Sequence, residues 1–150
     1  MLRLRLYLDT SVVSAYLDDR FPQRMQETLD FWDTLAGFEV SISELTQAEI
    51  RDTGDARRRV GLLDLIRGFS VIEVNDEMRA LARRYLDRSV LPPSARDDAL
   101  HVAIAVVSRQ DILVSWNFRH LVNRRRRAMI NEVNIAAGYP VIEIVAPPEA

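Results

Sequence analysis

The chain of 150 residues contains no cysteine, no lysine and no long apolar run. Without cysteine neither a disulfide framework nor a thiolate metal site can form, which excludes zinc-finger chemistry and favours an intracellular, cytoplasmic location. The N-terminus alternates arginine with leucine, and no segment approaches the ~20 apolar residues that a membrane span requires. We therefore predict a protein that is neither exported nor embedded in a membrane.

An excess of charge of one sign is also absent, since the net charge is −2. Such a chain has no overall field that attracts nucleic acid, so nucleic-acid binding would depend on a local patch. One candidate patch is Arg57 to Arg59, and the other consists of Arg119, Arg124, Arg125, Arg126 and Arg127. A solvated helix face explains the second run of arginines equally well.

The length and composition predict one domain over residues 1–150, with a short flexible C-terminal tail. Five short apolar runs predict strands at residues 2–8, 38–42, 69–74, 112–115 and 141–145. Apolar side chains at helical spacing predict helices at residues 22–36, 54–67, 76–88, 95–109 and about 118–137. Strands that alternate with helices indicate an α/β sandwich around a mostly parallel sheet.

Polar residues stand where several of these helices are predicted to begin. Ser94 with Asp97, and Ser41 with Glu44, resemble capping boxes with an acidic residue three positions after the serine. Asn75 can cap the helix that follows it. These patterns favour structural roles for Glu44 and Asp97.

Four residues lie at or near the carboxyl ends of predicted strands, or on the helix just after one. Asp9 ends the first strand, Glu49 lies on the short helix after the second, Asp98 begins a helix and Asn117 follows the fourth strand. Ligands of open parallel sheets gather at the carboxyl ends of the strands. We therefore take these four residues as candidate catalytic residues.

Each candidate also has a structural explanation. Asp9 and Asn117 could each act as an N-cap. His101 lies one helical turn after Asp98 and could be a hydrogen-bonded core histidine instead of a catalytic group. Similarly, Trp116 and Phe118 are more often core residues than base-stacking platforms.

Independent caps would not need to converge on one place. If three carboxylates meet within ~5 Å, each pair repels by roughly 3 kcal/mol at an effective dielectric constant near 20. Such a cluster requires a cation or a proton. Hard oxygen ligands of this kind suit Mg²⁺ or Mn²⁺.

The order and spacing of these residues resemble those of PIN domains, and more closely those of VapC-like toxins of bacterial toxin–antitoxin systems. The likeness covers nearly the whole chain and includes LDTSV with Asp9, LTQAEI with Glu49, DALHVAIA with Asp98 and LVSWNFRHL with Asn117. The late segment NEVNIAAGYPVIEIVAPPE is also similar to the closing segment of a subset of this family. Each segment is weak alone, and their combination is specific.

The resemblance implies a Rossmann-like α/β/α sandwich with a mostly parallel five-stranded sheet. It also implies a metal-dependent ribonuclease, frequent homodimers and a small cognate antitoxin. In this family-based hypothesis Asp9, Glu49 and Asp98 hold Mg²⁺ or Mn²⁺. Because an acidic cleft repels the RNA backbone, nearby arginines should help to hold the strand, and the candidates are Arg119 and Arg124 to Arg127. The residues expected beside the site are Ser11, Asp97 and His101. Asn117 stands where many members carry a fourth acidic residue, which leaves open whether Asn117 is a metal ligand and whether a second metal binds.

Other classes of protein fit the sequence less well. A haloacid-dehalogenase-like phosphatase needs a carboxylate where Ser11 stands, and a receiver domain needs a lysine that this chain lacks. The stronger rival is a catalytically silent PIN domain that binds RNA or a protein. The three acidic positions argue against that alternative, and a metal-dependent cleavage assay separates the two hypotheses.

Overall fold

The computed structural model describes residues 2–150 and contains one five-stranded sheet in which every strand pair is parallel. The strands are β1 (Arg5–Leu8), β2 (Glu39–Ser43), β3 (Ser70–Ile72), β4 (Ile112–Val114) and β5 (Glu143–Val145). Their order is β3-β2-β1-β4-β5. The chain adds β2 and β3 on one side of β1 and then adds β4 and β5 on the other side, so the strand order reverses between β1 and β4. This reversal defines the topological switch point, where ligands of such sheets bind.

Within residues 2–150, seven α-helices connect the strands. They are α1 (Thr10–Ala15), α2 (Pro22–Trp32), α3 (Glu44–Arg51), α4 (Ala56–Ile66), α5 (Asp76–Asp87), α6 (Arg96–Val107) and α7 (Arg124–Ala136). Helices α1 to α4 pack on one another, and α5 packs on α6 and α7. Because parallel crossovers are right-handed, the reversal at β1 places the two groups on opposite faces of the sheet. The predicted α/β/α sandwich is confirmed, and its sheet is entirely parallel.

The core lies between the sheet and these two helical layers. The central strands β1 and β4 are almost completely buried, and Leu6, Tyr7 and Leu8 have no exposed surface. Helix α6 is apolar on nearly all sides, since Ala99 and the whole run from His101 to Val106 are buried. A helix of this kind belongs in the interior of a domain, which explains why the charges of α6 are confined to its first turn.

The helix starts differ from the sequence prediction at three places. Ser43, instead of Ser41, caps α3, because strand pairing continues as far as Ser43. Helix α6 begins after Ala95 without a side-chain cap, so the predicted capping box of Ser94 and Asp97 does not form, and that prediction is wrong. Helix α7 begins after its cap Asn123, and residues 118–123 form turns. By contrast, Asn75 caps α5 as predicted.

None of the helices in the described part of the chain combines the length and hydropathy needed to cross a bilayer. At the C-terminus, residues Pro147–Glu149 form a short 3₁₀ helix that contacts α2, with Pro147 buried. The mobility of this tail stays a prediction.

Candidate active site

Asp9 lies directly after β1, where the strand order reverses. Its side chain caps α1 by accepting the Val12 N–H at 3.3 Å, and it also accepts the hydroxyls of Ser11 and Ser115, each at 2.5 Å. Burial raises the pKa of Asp9, while nearby His101 and these hydrogen bonds act in the opposite direction. Asp9 is therefore both a helix cap and a buried carboxylate at the switch point.

Glu49 lies on α3 with its side chain about one-third exposed. One carboxylate oxygen, Oε1, accepts the Thr10 hydroxyl at 2.8 Å and lies 2.6 Å from Nε2 of His101. Burial raises the pKa of Glu49, but the hydrogen bond and charge of His101, with the Thr10 hydroxyl, outweigh it and lower the pKa overall. These contacts favour the ionised carboxylate.

His101 connects Glu49 to the interior of the protein. Its Nδ1 lies 2.7 Å from the Tyr7 hydroxyl, which in turn lies 2.7 Å from the Ser43 hydroxyl. A neutral imidazole that donates from Nε2 to Glu49 must accept at Nδ1, and the Tyr7 hydroxyl can donate there. Burial raises the pKa of Tyr7, so this hydroxyl keeps its proton. Both ring nitrogens of the buried His101 therefore have partners, one of which is a candidate site residue.

Asp98 is held by two residues of the segment after β4. Its Oδ2 accepts the Asn117 amide N–H at 2.8 Å and lies 3.3 Å from Nδ1 of His120. The amide oxygen of Asn117 accepts the backbone N–H of His120 at 2.9 Å. Asn117 therefore caps a turn with its oxygen and orients Asp98 with its nitrogen. Its role as a metal ligand stays a prediction.

Hydrogen bonds through Ser115 link three of the candidate residues, Asp9, Asn117 and Asp98. The Ser115 hydroxyl donates to Asp9 and accepts the Asn117 backbone N–H at 3.0 Å, and Asn117 donates to Asp98. Glu49 lies beside this network, because it accepts the hydroxyl of Thr10, the residue that follows Asp9 in the chain. The network lies at the carboxyl ends of β1 and β4.

Four members of this network were not among the predicted site residues: Tyr7, Thr10, Ser115 and His120. Tyr7 precedes Asp9 by two positions on an extended segment, a spacing that places both side chains on one face of a strand. Thr10 and Ser115 adjoin candidate positions. These spacings were available in the sequence, but the contact between His120 and Asp98 depends on the turn after Asn117.

The remaining predicted residues have different environments. Ser11 contacts Asp9, and Asp97 is exposed in the first turn of α6. The side chains of Arg126 and Arg127 donate to the backbone carbonyls of Val90 and Ile144. Arg119, Arg124 and Arg125 are exposed. The arginine cluster therefore contains three exposed guanidinium groups and two with structural contacts.

A divalent cation matches the donor atoms of this site in type, because Asp9, Glu49 and Asp98 supply hard carboxylate oxygens. Yet among residues 2–150 no group of three or more His, Cys, Asp or Glu side chains is placed to hold a metal ion. Instead, the carboxylates bond to the neighbouring hydroxyl, amide and imidazole groups.

The order of the strands and the acidic residues at the switch point define an α/β protein with a polar site at the carboxyl ends of β1 and β4. The family model of the PIN domain matches residues 6–121, so the chain belongs to the PIN domain family. A search of curated proteins finds no match.

Three solved structures show the same fold. VapBC2 from Rickettsia felis, bound to a DNA fragment from its promoter, superposes with a TM-score of 0.60 at 12% identity, covering 95% of this chain and 98% of that chain. VapC20 from Mycobacterium tuberculosis, a toxin that cleaves the sarcin–ricin loop, superposes with a TM-score of 0.60 at 17% identity, covering 92% of this chain and 98% of that chain. VapBC-1 from nontypeable Haemophilus influenzae superposes with a TM-score of 0.62 at 13% identity, covering 96% of this chain and 98% of that chain. At these identities the likeness concerns the fold.

Proposed function

We propose that this chain is a divalent-metal-dependent endoribonuclease that hydrolyses RNA phosphodiester bonds, and that it acts as the toxin of a type II toxin–antitoxin pair. The observation that carries the proposal is the hydrogen-bonded set of Asp9, Asn117 and Asp98 at the switch point of the sheet, with Glu49 bonded to Thr10 beside Asp9. Membership of the PIN domain family supports it, and so does the fold shared with a toxin that cleaves the sarcin–ricin loop.

Asp9, Glu49 and Asp98 would hold Mg²⁺ or Mn²⁺. Oε2 of Glu49 and Oδ1 of Asp98 accept no hydrogen bond from residues 2–150, so each carboxylate keeps an oxygen for a cation. Both oxygens of Asp9 accept hydroxyl groups, but a carboxylate has about four lone-pair sites and can accept further partners. A bound divalent cation would supply water activation and would stabilise the negative charge of a phosphodiester under attack.

The protein contributes the orientation of these carboxylates. Ser11 and Ser115 fix Asp9, Thr10 and His101 fix Glu49, and Asn117 with His120 fixes Asp98. Without a cation these groups repel the RNA backbone, so basic side chains are needed to hold the strand. The exposed guanidinium groups of Arg119, Arg124 and Arg125 are placed in solvent, where they can bind phosphates.

The proposed partners are an RNA substrate, a small cognate antitoxin and a second copy of the chain, in the cytoplasm. Two of the structural neighbours are VapBC toxin–antitoxin complexes, which supports the antitoxin. A short neighbouring gene for a DNA-binding protein would encode this antitoxin. Co-expression of the antitoxin should relieve growth arrest caused by the wild-type chain.

A second candidate function is a catalytically silent PIN domain that binds RNA or a protein. The observation that favours it is the absence, within residues 2–150, of three metal-binding side chains arranged around one point. It predicts that RNA binds but is not cut at any concentration of Mg²⁺ or Mn²⁺.

One experiment decides between the two. The purified chain is incubated with single-stranded and hairpin RNA in Mn²⁺, in Mg²⁺ and in EDTA, with the same sequences in DNA as a comparison. The nuclease proposal requires RNA cleavage that depends on the cation. Binding without cleavage under all conditions would leave the silent module as the function.

A further inference from the structure

An aromatic groove lies next to the candidate active site. One wall belongs to the start of α2, with Phe21 and Arg24, and the other to the segment after β4, with Trp116 and Phe118. The volume of this groove, about 430 Å³, is in the range of small-ligand sites. Phe21 is 51% exposed and Phe118 is 49% exposed. Two large aromatic side chains therefore face solvent across one groove.

The wall at Trp116 is fixed in place. Its indole N–H donates to the hydroxyl of the buried Thr28 at 2.9 Å, and its backbone N–H donates to the Ser11 hydroxyl at 2.9 Å. The ring of Phe118 packs against the indole of Trp116, with the ring centroids 6.0 Å apart and an interplanar angle of 60°. Trp116 therefore fixes one side of Phe118, while about half of the Phe118 surface remains exposed.

A positive charge bridges the two walls. The guanidinium of Arg24 lies 5.4 Å from the ring centre of Phe21 and 5.2 Å from that of Trp116. Arg24 forms no ion pair with any carboxylate in residues 2–150, whereas Arg20 is bound to Asp18. Glu27 also lines the groove and brings a negative charge, to which the Gln23 amide donates. Arg24 is therefore the cation available to a ligand.

The groove is tied to the site through Asn117 and Ser11. Asn117, which orients Asp98, lies between Trp116 and Phe118 in the sequence. The Ser11 hydroxyl that binds the backbone of Trp116 also donates to Asp9. A strand with a phosphodiester at the carboxylates would therefore bring a neighbouring nucleotide to the aromatic walls.

We propose that Phe21 and Phe118 form a stacking subsite for one unpaired base of a single-stranded RNA, with Arg24 binding an adjoining phosphate. This inference rests on the proposed function, because it takes the substrate to be RNA. Exposed aromatic rings beside an arginine are the features on which unpaired bases stack, and stacking tolerates any base. Arg24 matches the charge of the RNA backbone, which favours RNA over an uncharged partner.

The test uses the full chain with Asp98→Asn, which separates binding from cleavage. Single-stranded RNA oligonucleotides carry the fluorescent base 2-aminopurine at successive positions, and its quenching reports stacking. We expect quenching at one or two adjacent positions in this protein. Phe21→Leu and Phe118→Leu should each abolish that quenching and weaken RNA binding about tenfold, the effect of losing one stacked base.

Two controls accompany these variants. Phe118→Trp restores an aromatic face and should keep both quenching and affinity. Ile135→Leu changes an exposed apolar residue of α7 outside the groove and should leave both unchanged. Thermal melting of every variant shows that the fold is retained.

The results separate the subsite from the proposed nuclease function. If both leucine variants bind RNA and quench 2-aminopurine as the parent does, the stacking subsite is rejected, and the groove serves a protein or no ligand. Stacking in a wild-type chain that never cleaves RNA would support the subsite and reject the nuclease. Cleavage without any position-specific quenching would reject the subsite alone.

Discussion

Nε2 of His101 lies 2.6 Å from Oε1 of Glu49, and this contact joins two helices that belong to opposite layers of the sandwich. The other ring nitrogen of His101 is bound to Tyr7 on the central strand β1. Glu49 is therefore oriented by a buried chain of polar groups that begins at Ser43. The carboxylate of Glu49, about one-third exposed, therefore gains a fixed position from residues inside the core.

Tyr7→Phe should test this chain directly. The change removes one buried hydroxyl and leaves Nδ1 of His101 without its partner, a loss of about 1–3 kcal/mol in the free energy of unfolding. Urea denaturation measures it. The matched control is Tyr139→Phe, which removes a hydroxyl bonded to Glu77 at the surface and should cost less than about 1 kcal/mol. Equal losses for the two variants would show that the buried chain adds no special stability.

Asp98→Asn should abolish cleavage and keep the fold. An amide at this position retains an oxygen that can accept the Asn117 N–H, and one negative charge is removed from the acidic site. Cleavage assays and melting curves of the apo protein measure the two effects. Asp97→Asn is the control, because Asp97 is exposed next to it in the sequence and should tolerate the change with activity retained. Unfolding of the Asp98 variant would assign this residue a structural role instead.

Added Mn²⁺ or Mg²⁺ should raise the melting temperature of the wild-type chain, because a ligand bound only by the folded state stabilises it by mass action. The shift should be small or absent in Asp98→Asn, which has lost one proposed ligand. Sodium chloride at the same ionic strength controls for screening. No shift at millimolar metal, together with cleavage that EDTA does not affect, would exclude the metal mechanism.

Substitutions of Asn117 should distinguish a metal ligand from a turn cap. If its oxygen binds the cation, Asn117→Asp should tighten Mn²⁺ binding and Asn117→Ala should loosen it. The cap interpretation predicts unchanged affinity for both variants and a loss of roughly 1 kcal/mol of stability in the alanine variant. Because the amide also donates to Asp98, the aspartate variant should be less stable without metal and regain stability with it. Calorimetric titration with Mn²⁺ and melting of the apo proteins measure both properties.

The four consecutive arginines should separate into two functional pairs. Arg124 and Arg125 are exposed, so their double change to Gln should leave stability unchanged. It should reduce the slope of log affinity for single-stranded RNA against log salt concentration by about 1.4. Arg126 and Arg127 bind backbone carbonyls, so changing them should lower the melting temperature. An unchanged salt slope for the exposed pair would indicate that these two arginines only coat the helix.

Local patterns predicted much of the fold. The alternation of apolar runs with helical periodicity predicted the five strands and five of the helices, because these patterns depend on neighbouring residues. The predicted helices did not include the short α1, whose Val12 and Val13 belong to the core. Helix starts were less predictable: Ser41 precedes α3 as plausibly as Ser43 does, and only the extent of pairing between β2 and β3 decides between them. Likewise, the turn at Asn117 delays α7 until after Asn123.

The sequence by itself determined the α/β class and the four candidate residues, since each stands in a recognisable segment near a strand end. Only the tertiary structure decided which groups surround them. Asp9 binds Ser115, 106 positions later, because β1 and β4 are neighbours in the sheet. His101 lies 94 positions from Tyr7 and 52 from Glu49. It contacts both because β1 pairs with β2, which α3 follows, and with β4, which α6 precedes. Contacts of this kind arise from strand order and crossover handedness, which no local periodicity of the chain encodes.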